Sequence, residues 1–196
     1  MEVTNNATDI TFTLTVAGNI VTTDWANFMI GFSTGSTTNV NTGNGWARPI
    51  ELNSPVGGMD YWIGSWVDGT GSQLFSYNDG ASWTGPSVLA GFSTLAGANS
   101  TITYTLTLAS LGLAINDTFY FDAYSSGGGV DSAIDALANP NVSITSWGGP
   151  YTSSTVGSGG TGLNSYQVVP EPSTYALLAL SGAGLVGYIA RRRARK

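Results

Sequence analysis

The 196-residue chain contains no cysteine and no histidine, and only six lysines and arginines stand against twelve aspartates and glutamates. Without cysteine there is no disulfide and no thiolate nucleophile. Without histidine there is no Ser-His-Asp triad, no imidazole zinc site and no usual haem ligand. The fold must therefore be held by its core alone. The few basic residues are also unevenly placed. Residues 1–169 carry a net charge of −10 with Arg48 as their one cation, whereas residues 170–196 carry five basic residues against Glu171. A domain with one arginine and no lysine cannot neutralise phosphates, so nucleic acid and anionic lipid are poor partners for it. Neutral glycans, cations and basic surfaces remain. What the chain does hold is glycine, 27 residues of it, together with much Ser, Thr and Asn, the composition of exported β proteins.

Ile10, Phe12, Leu14 and Val16 alternate with Thr11, Thr13 and Thr15, the period of two that marks a half-buried strand. Residues 101–108 alternate in the same way, 26–32 read as a buried strand, and 117–124 as a further one. In 59–69 the apolar residues fall on both faces, which predicts either a central strand or one that carries an aromatic platform. Residues 20–23 and 73–77 read as return strands, with turns at 68–71 and 78–80. A polar loop is expected over 33–45, a short helical or 3-10 turn over 109–113, and one or two helical turns over 131–137. No internal repeat is present. These elements predict a mainly β fold, an antiparallel β-sandwich of jelly-roll type over residues 1–150. A Gly/Ser/Thr-rich flexible linker is expected over 151–168.

Residues 169–196 are organised differently. Pro170, Glu171 and Pro172 precede Ser173, a good N-cap, and residues 175–190 contain no charged side chain. As a helix that run spans roughly 24 Å, somewhat short of a hydrocarbon core of about 30 Å, and Ser173, Thr174 and snorkelling arginines make up the difference. Arg191, Arg192, Arg193, Arg195 and Lys196 form a stop-transfer cluster, which places the preceding domain outside the membrane.

This order of parts resembles the PEP-CTERM sorting signal of Gram-negative bacteria that make exopolysaccharide. The resemblance implies an exported precursor, anchored in the inner membrane through residues 175–190 and recognised by exosortase, an integral-membrane cysteine protease-like transpeptidase. Cleavage near Pro170, Glu171 and Pro172 is then expected, followed by residence at the cell surface or in the extracellular (biofilm) matrix. The family pairs this tail with an N-terminal secretory signal. The first six residues lack a basic start and an apolar stretch, so Met1 is expected not to be the true start. The arrangement of the strands at 58–64, 101–113 and 117–124 is similar to the DOMON and family-nine carbohydrate-binding-module sandwiches, which implies a glycan ligand.

Three constellations bear on chemistry. Trp62 and Trp66, with Trp46 or Trp83 nearby, form a candidate platform for stacking the C–H face of a sugar; the opposing reading places them in the core. Asp60, Asp68, Asp122, Asp131 and Asp135 are candidate oxygen ligands for calcium, although Asp also serves in turns and no EF-hand spacing is present. No other cofactor is expected. Asp60 and Asp122 are the pair a glycoside hydrolase would need. The chain is nonetheless expected to be a non-enzymatic glycan-binding surface protein, with a purely structural matrix protein as the alternative.

Overall fold

The computed structural model describes residues 1–20, 26–36, 43–66, 71–78, 82–154, 162–170 and Leu180. Among these, thirteen strands form three sheets. The first sheet contains β1 (Glu2–Asn5), β2 (Asp9–Ala17), β8 (Gly91–Leu95) and β9 (Asn99–Thr107), all antiparallel in the order β1-β2-β9-β8. The second contains β3 (Asn27–Ser33), β5 (Tyr61–Trp66), β6 (Gly71–Asn78), β7 (Ser82–Val88), β10 (Thr118–Ser126) and β11 (Asp135–Ala136), in the order β11-β10-β3-β5-β6-β7. The strand β13 (Asn164–Gln167) also pairs with β10. A third, two-stranded sheet joins β4 (Ile50–Asn53) to β12 (Tyr151–Ser154) in parallel.

The alternation in β2 is used as its chemistry demands. Ile10, Phe12 and Leu14 lie opposite Leu106, Tyr104 and Ile102 of β9, and all six are buried, while the intervening threonines face outward. Against them pack Phe28, Ile30 and Phe32 of β3, Ile63 of β5, and Phe119 and Phe121 of β10. Phe12 is central here, with its ring centroid 5.0 Å from Phe32 and 6.1 Å from both Phe119 and Phe121. The Tyr104 hydroxyl crosses the interface to lie 2.6 Å from the Ser65 hydroxyl of β5. Burial holds that phenol well above its usual range.

The residues between these in sequence point the other way and build a second core. Met29, Trp62, Phe75 and Tyr124 pack there with Ile50 and Leu52 of β4, Met59, Ala133, Ala136 and Tyr151. The second sheet is therefore the middle layer, covered on one face by the first sheet and on the other by the β4–β12 pair and its loops. Space on this outer face comes from glycine. A Cβ on Gly31 would lie 2.7 Å from the Met59 methyl, and one on Gly64 would overlap the Trp46 ring.

Strands 26–32, 101–108 and 117–124 were legible; of the strand expected over 59–69, Tyr61–Trp66 forms β5, which is central, and 67–69 lie outside the described residues. The 3-10 turn Leu108–Leu111 matches the turn expected there, capped by Thr107 and closed by Gly112 at φ 63°. Other expectations need correction. The 151–168 segment is strand at both ends, β12 and β13, not spacer throughout. Residues 131–137 form no helix, because their amides serve neighbouring segments: Ser132 N–H donates to Trp147, Ile134 N–H to Ser125 and Leu137 N–H to Ala123. The parallel β4–β12 pair departs from an all-antiparallel arrangement. Among the described residues no helix is long and apolar enough to cross a membrane; the expected span 175–190 lies outside them except for Leu180. The turn residues 68–70 and 79–80, and residues 21–23 of an expected return strand, also lie outside.

Candidate functional site

A short loop before β4 decides the geometry of the aromatic face. Asn44 is buried and accepts from the Trp46 and Arg48 N–H groups through Oδ1, at 3.1 Å each. Its Nδ2 donates to the Arg48 and Ile50 carbonyls at 2.7 and 2.8 Å. The turn holds Ala47 at φ 52° and lays the Trp46 ring on Gly64. From there Trp46 Nε1 donates to Gln73 Oε1 at 2.8 Å, and its ring lies 5.1 Å from Trp66 and 6.4 Å from Trp62.

The four tryptophans expected as a platform therefore have different fates. Trp62 is 0% exposed and stacks on Tyr124 at 5.9 Å, so it presents no ring face to a ligand and must be removed from the platform. Trp46 and Trp66 form a half-buried pair. Trp83 is also half-buried but packs edge-on against Tyr77, at 5.6 Å, on the edge strand β7. Trp147, which sequence patterning did not single out, is 56% exposed and borders a hollow of about 410 Å³ with Ile134, Ile144, Thr145 and Ser146. It lies beside Gly127, whose carbonyl accepts from the Asn27 side chain at 2.7 Å, and Asn27 is the residue opposite Trp66. Trp46, Trp66 and Trp147 thus gather at one end of the middle sheet.

Arg48 sits beneath this end, 5% exposed, with its guanidinium carbon 5.3 Å from the Trp46 ring centroid. Nη1 donates to the Ser126 hydroxyl at 2.9 Å and to the carbonyls of Gly127 at 3.2 Å and Asp131 at 2.9 Å. Burial lowers its pKa, partly offset by the Asp131 charge. The one arginine of residues 1–169 is therefore a tie that shapes the 126–131 loop and is not a surface charge.

The acidic candidates do not converge. Asp60 accepts from Thr34 N–H at 2.6 Å and Oγ1 at 3.1 Å, Gly35 N–H at 3.0 Å and Ser36 N–H at 3.3 Å, closing the turn after β3. Asp122 is 0% exposed and accepts from Ala123 N–H at 2.9 Å, Ala138 N–H at 2.8 Å and Ser153 Oγ at 2.6 Å. Burial raises its carboxyl from 3.8 to about 6 against the pull of these hydrogen bonds. It pins β12 to the middle sheet. Asp131 offers its carbonyl to Arg48, Asp135 is exposed on β11, and Asp68 lies outside the described residues. Among the described residues no three acidic side chains meet at a point that could hold a metal ion.

At the opposite end of β10 the chain leaves the domain. β13 lies along β10, pairing Phe119 with Tyr166 and Phe121 with Asn164, and carries the chain to Val168 and Val169. Val168 is fully buried; Val169 is exposed and Pro170 half-buried. The described chain thus stays docked to its first residue of the Pro-Glu-Pro signature. Glu171, Pro172 and the basic cluster 191–196 lie outside the described residues. No curated protein and no solved structure matches the chain. Residues 168–196 match the PEP-CTERM protein-sorting motif, which supports exosortase-dependent sorting of an exported, membrane-anchored precursor.

Proposed function

We propose that this is a non-enzymatic surface or matrix protein of an exopolysaccharide-producing Gram-negative bacterium, whose β domain binds a neutral glycan. The observation that carries the reading is the sorting tail joined directly to a folded β domain. The tail supplies the address, with residues 175–190 as its membrane span, and the domain supplies the cargo. The sandwich, of jelly-roll type and related to DOMON or family-nine carbohydrate-binding modules, displays the aromatic end formed by Trp46, Trp66 and Trp147.

Physical chemistry supports a neutral ligand. Half-buried indole rings offer flat apolar surface at low conformational cost, and saccharide C–H faces match it. The one cation of the domain is buried, so an anionic polymer would meet a net charge of −10 with nothing to offset it. Binding rather than catalysis is favoured because Asp60 and Asp122 are already occupied by hydroxyl and amide donors.

The test is titration of a chain ending at Val169 with the producer's extracellular polysaccharide, with and without calcium. Ending earlier would cut into β13 or expose the core that Val168 fills. Saturable binding that is lost in Trp66→Ala, while the melting temperature stays within a few degrees, is expected. A folded domain that binds nothing would leave a structural matrix protein. Binding untouched by Trp66→Ala and Trp147→Ala would move the site elsewhere.

A further inference from the structure

We propose that the processed bond lies beyond Pro170, and that Asn5, at the other end of the chain, sets this limit. The inference rests on the sorting reading above. Val168 is 0% exposed among the phenylalanines of the first core, and both of its backbone groups are taken. Its N–H donates to the Asp117 carbonyl at 2.9 Å, and its carbonyl accepts from Asn116 N–H at 2.7 Å. Val169 is matched by one side chain. Its N–H donates to Asn5 Oδ1 at 3.1 Å, and its carbonyl accepts from Asn5 Nδ2 at 2.8 Å. The Tyr166 hydroxyl donates to the same Oδ1 at 2.8 Å and fixes the amide's orientation. Asn5 is itself held by β1, opposite Ile10 of β2. Pro170 has no N–H, so this chain of main-chain bonds ends there.

An enzyme that opens a peptide bond needs the carbonyl carbon accessible and donors of its own aimed at the carbonyl oxygen. At the Val168–Val169 and Val169–Pro170 bonds those oxygens already accept from Asn116 and Asn5. Each such hydrogen bond that must first break lowers the population open to attack by about fivefold, and drawing Val168 from the core lowers it further. Among the described residues both obstacles end at Val169. The step is therefore scission of the Pro170–Glu171 amide or one further on. The acyl carbon takes the oxygen of water, or the nitrogen of an acceptor amine if the enzyme transfers rather than hydrolyses, and the tail leaves with the protonated amino group. The mature protein keeps β13, Val168, Val169 and Pro170. Asn5 is a positioning residue for this reaction and touches no reacting atom.

The experiment is C-terminal peptide mapping of the mature full-length product from cells that process it, using chymotryptic cleavage after Tyr166. That cut releases the terminal peptide whether or not an acceptor is attached. The expected peptide begins at Gln167 and contains Pro170. A peptide ending at Val169 or earlier overturns the inference while leaving the sorting reading intact. A chain that still carries Lys196 overturns both. In a folded Asn5→Ala variant, a second population ending at Val169 or upstream is expected to appear. An unchanged single terminus in that variant would remove Asn5 from its role.

Discussion

The two faces of the middle sheet are built from alternate residues of the same strands, yet they behave as different materials. Along β3 and β10 one face presents Phe28, Ile30, Phe32, Phe119 and Phe121, and the Ser65–Tyr104 hydroxyl pair and the buried Ser72 opposite Ser65 interrupt the hydrocarbon. The other face presents Met29, Trp62 and Tyr124 beside Arg48 and Asp122, each charged group hydrogen-bonded both to strand residues and to loops. The first face is covered by a regular sheet, which satisfies its own backbone. The second is covered by loops and a two-stranded pair, whose carbonyls and amides must find partners among side chains. That requirement accounts for the polar groups in the second core.

The comparison can be broken most directly by cavities. Phe12→Ala removes the centre of the hydrocarbon face and is expected to cost about 3–5 kcal/mol, enough to unfold a domain of ordinary marginal stability. Trp62→Ala on the opposite face should cost a similar amount, because Trp62 is buried as completely. Denaturant midpoints would check both. A small loss in Trp62→Ala together with a large one in Phe12→Ala would show that the outer layer is dispensable.

Acidity sharpens the difference, since Asp122 is the buried group whose charge the outer face must tolerate. Its folded carboxyl stays protonated up to about pH 6, whereas the unfolded one ionises near its ordinary 3.8. The folded state therefore binds more protons across that window, and stability from this group is lost as pH rises from about 3.8 to about 6, by as much as about 3 kcal/mol. Melting temperature should be higher at pH 5 than at pH 7.5, and Asp122→Asn should flatten the slope. A wild-type profile flat across this range would contradict the raised carboxyl. The smallest effect is expected at Trp66→Ala, about 1 kcal/mol or less for a half-exposed ring. A loss as large as that of Trp62→Ala would make the aromatic end part of the core.

The strands that could be read in advance are β2, β9 and β10, whose side chains carry a period, the buried run of β3, the doubly apolar β5 and the return strand β6. Those missed, β1, β4, β7, β8, β12 and β13, are short or polar: β1, β7 and β8 pair with the strand next to them in sequence, and β4, β12 and β13 take their place through backbone pairing with residues far along the chain. Trp62 and Trp66 show the same boundary at a single site. They lie four residues apart on one face of one strand, so no local pattern distinguishes them. Trp62 is sealed by the Asn44 turn, β4 and β12, which reach over it, while Trp66 stands at the rim. The candidate platform lost its most buried member and gained Trp147 for this reason.

Linear order was enough for the address, because Pro170, Glu171, Pro172, an uncharged run and a basic end act one after another along the chain. Alternation was enough for a mainly β fold, because a strand turns every second residue to the same side. Neither could place the domain's edge. Val168 is buried and Val169 held only because β13 finds β10 and Asn5 arrives from the first strand, contacts spanning up to 164 residues of sequence. Burial, the raised Asp122 carboxyl and the docked end before the sorting signature all depend on what comes to lie above a residue, which chain folding alone sets.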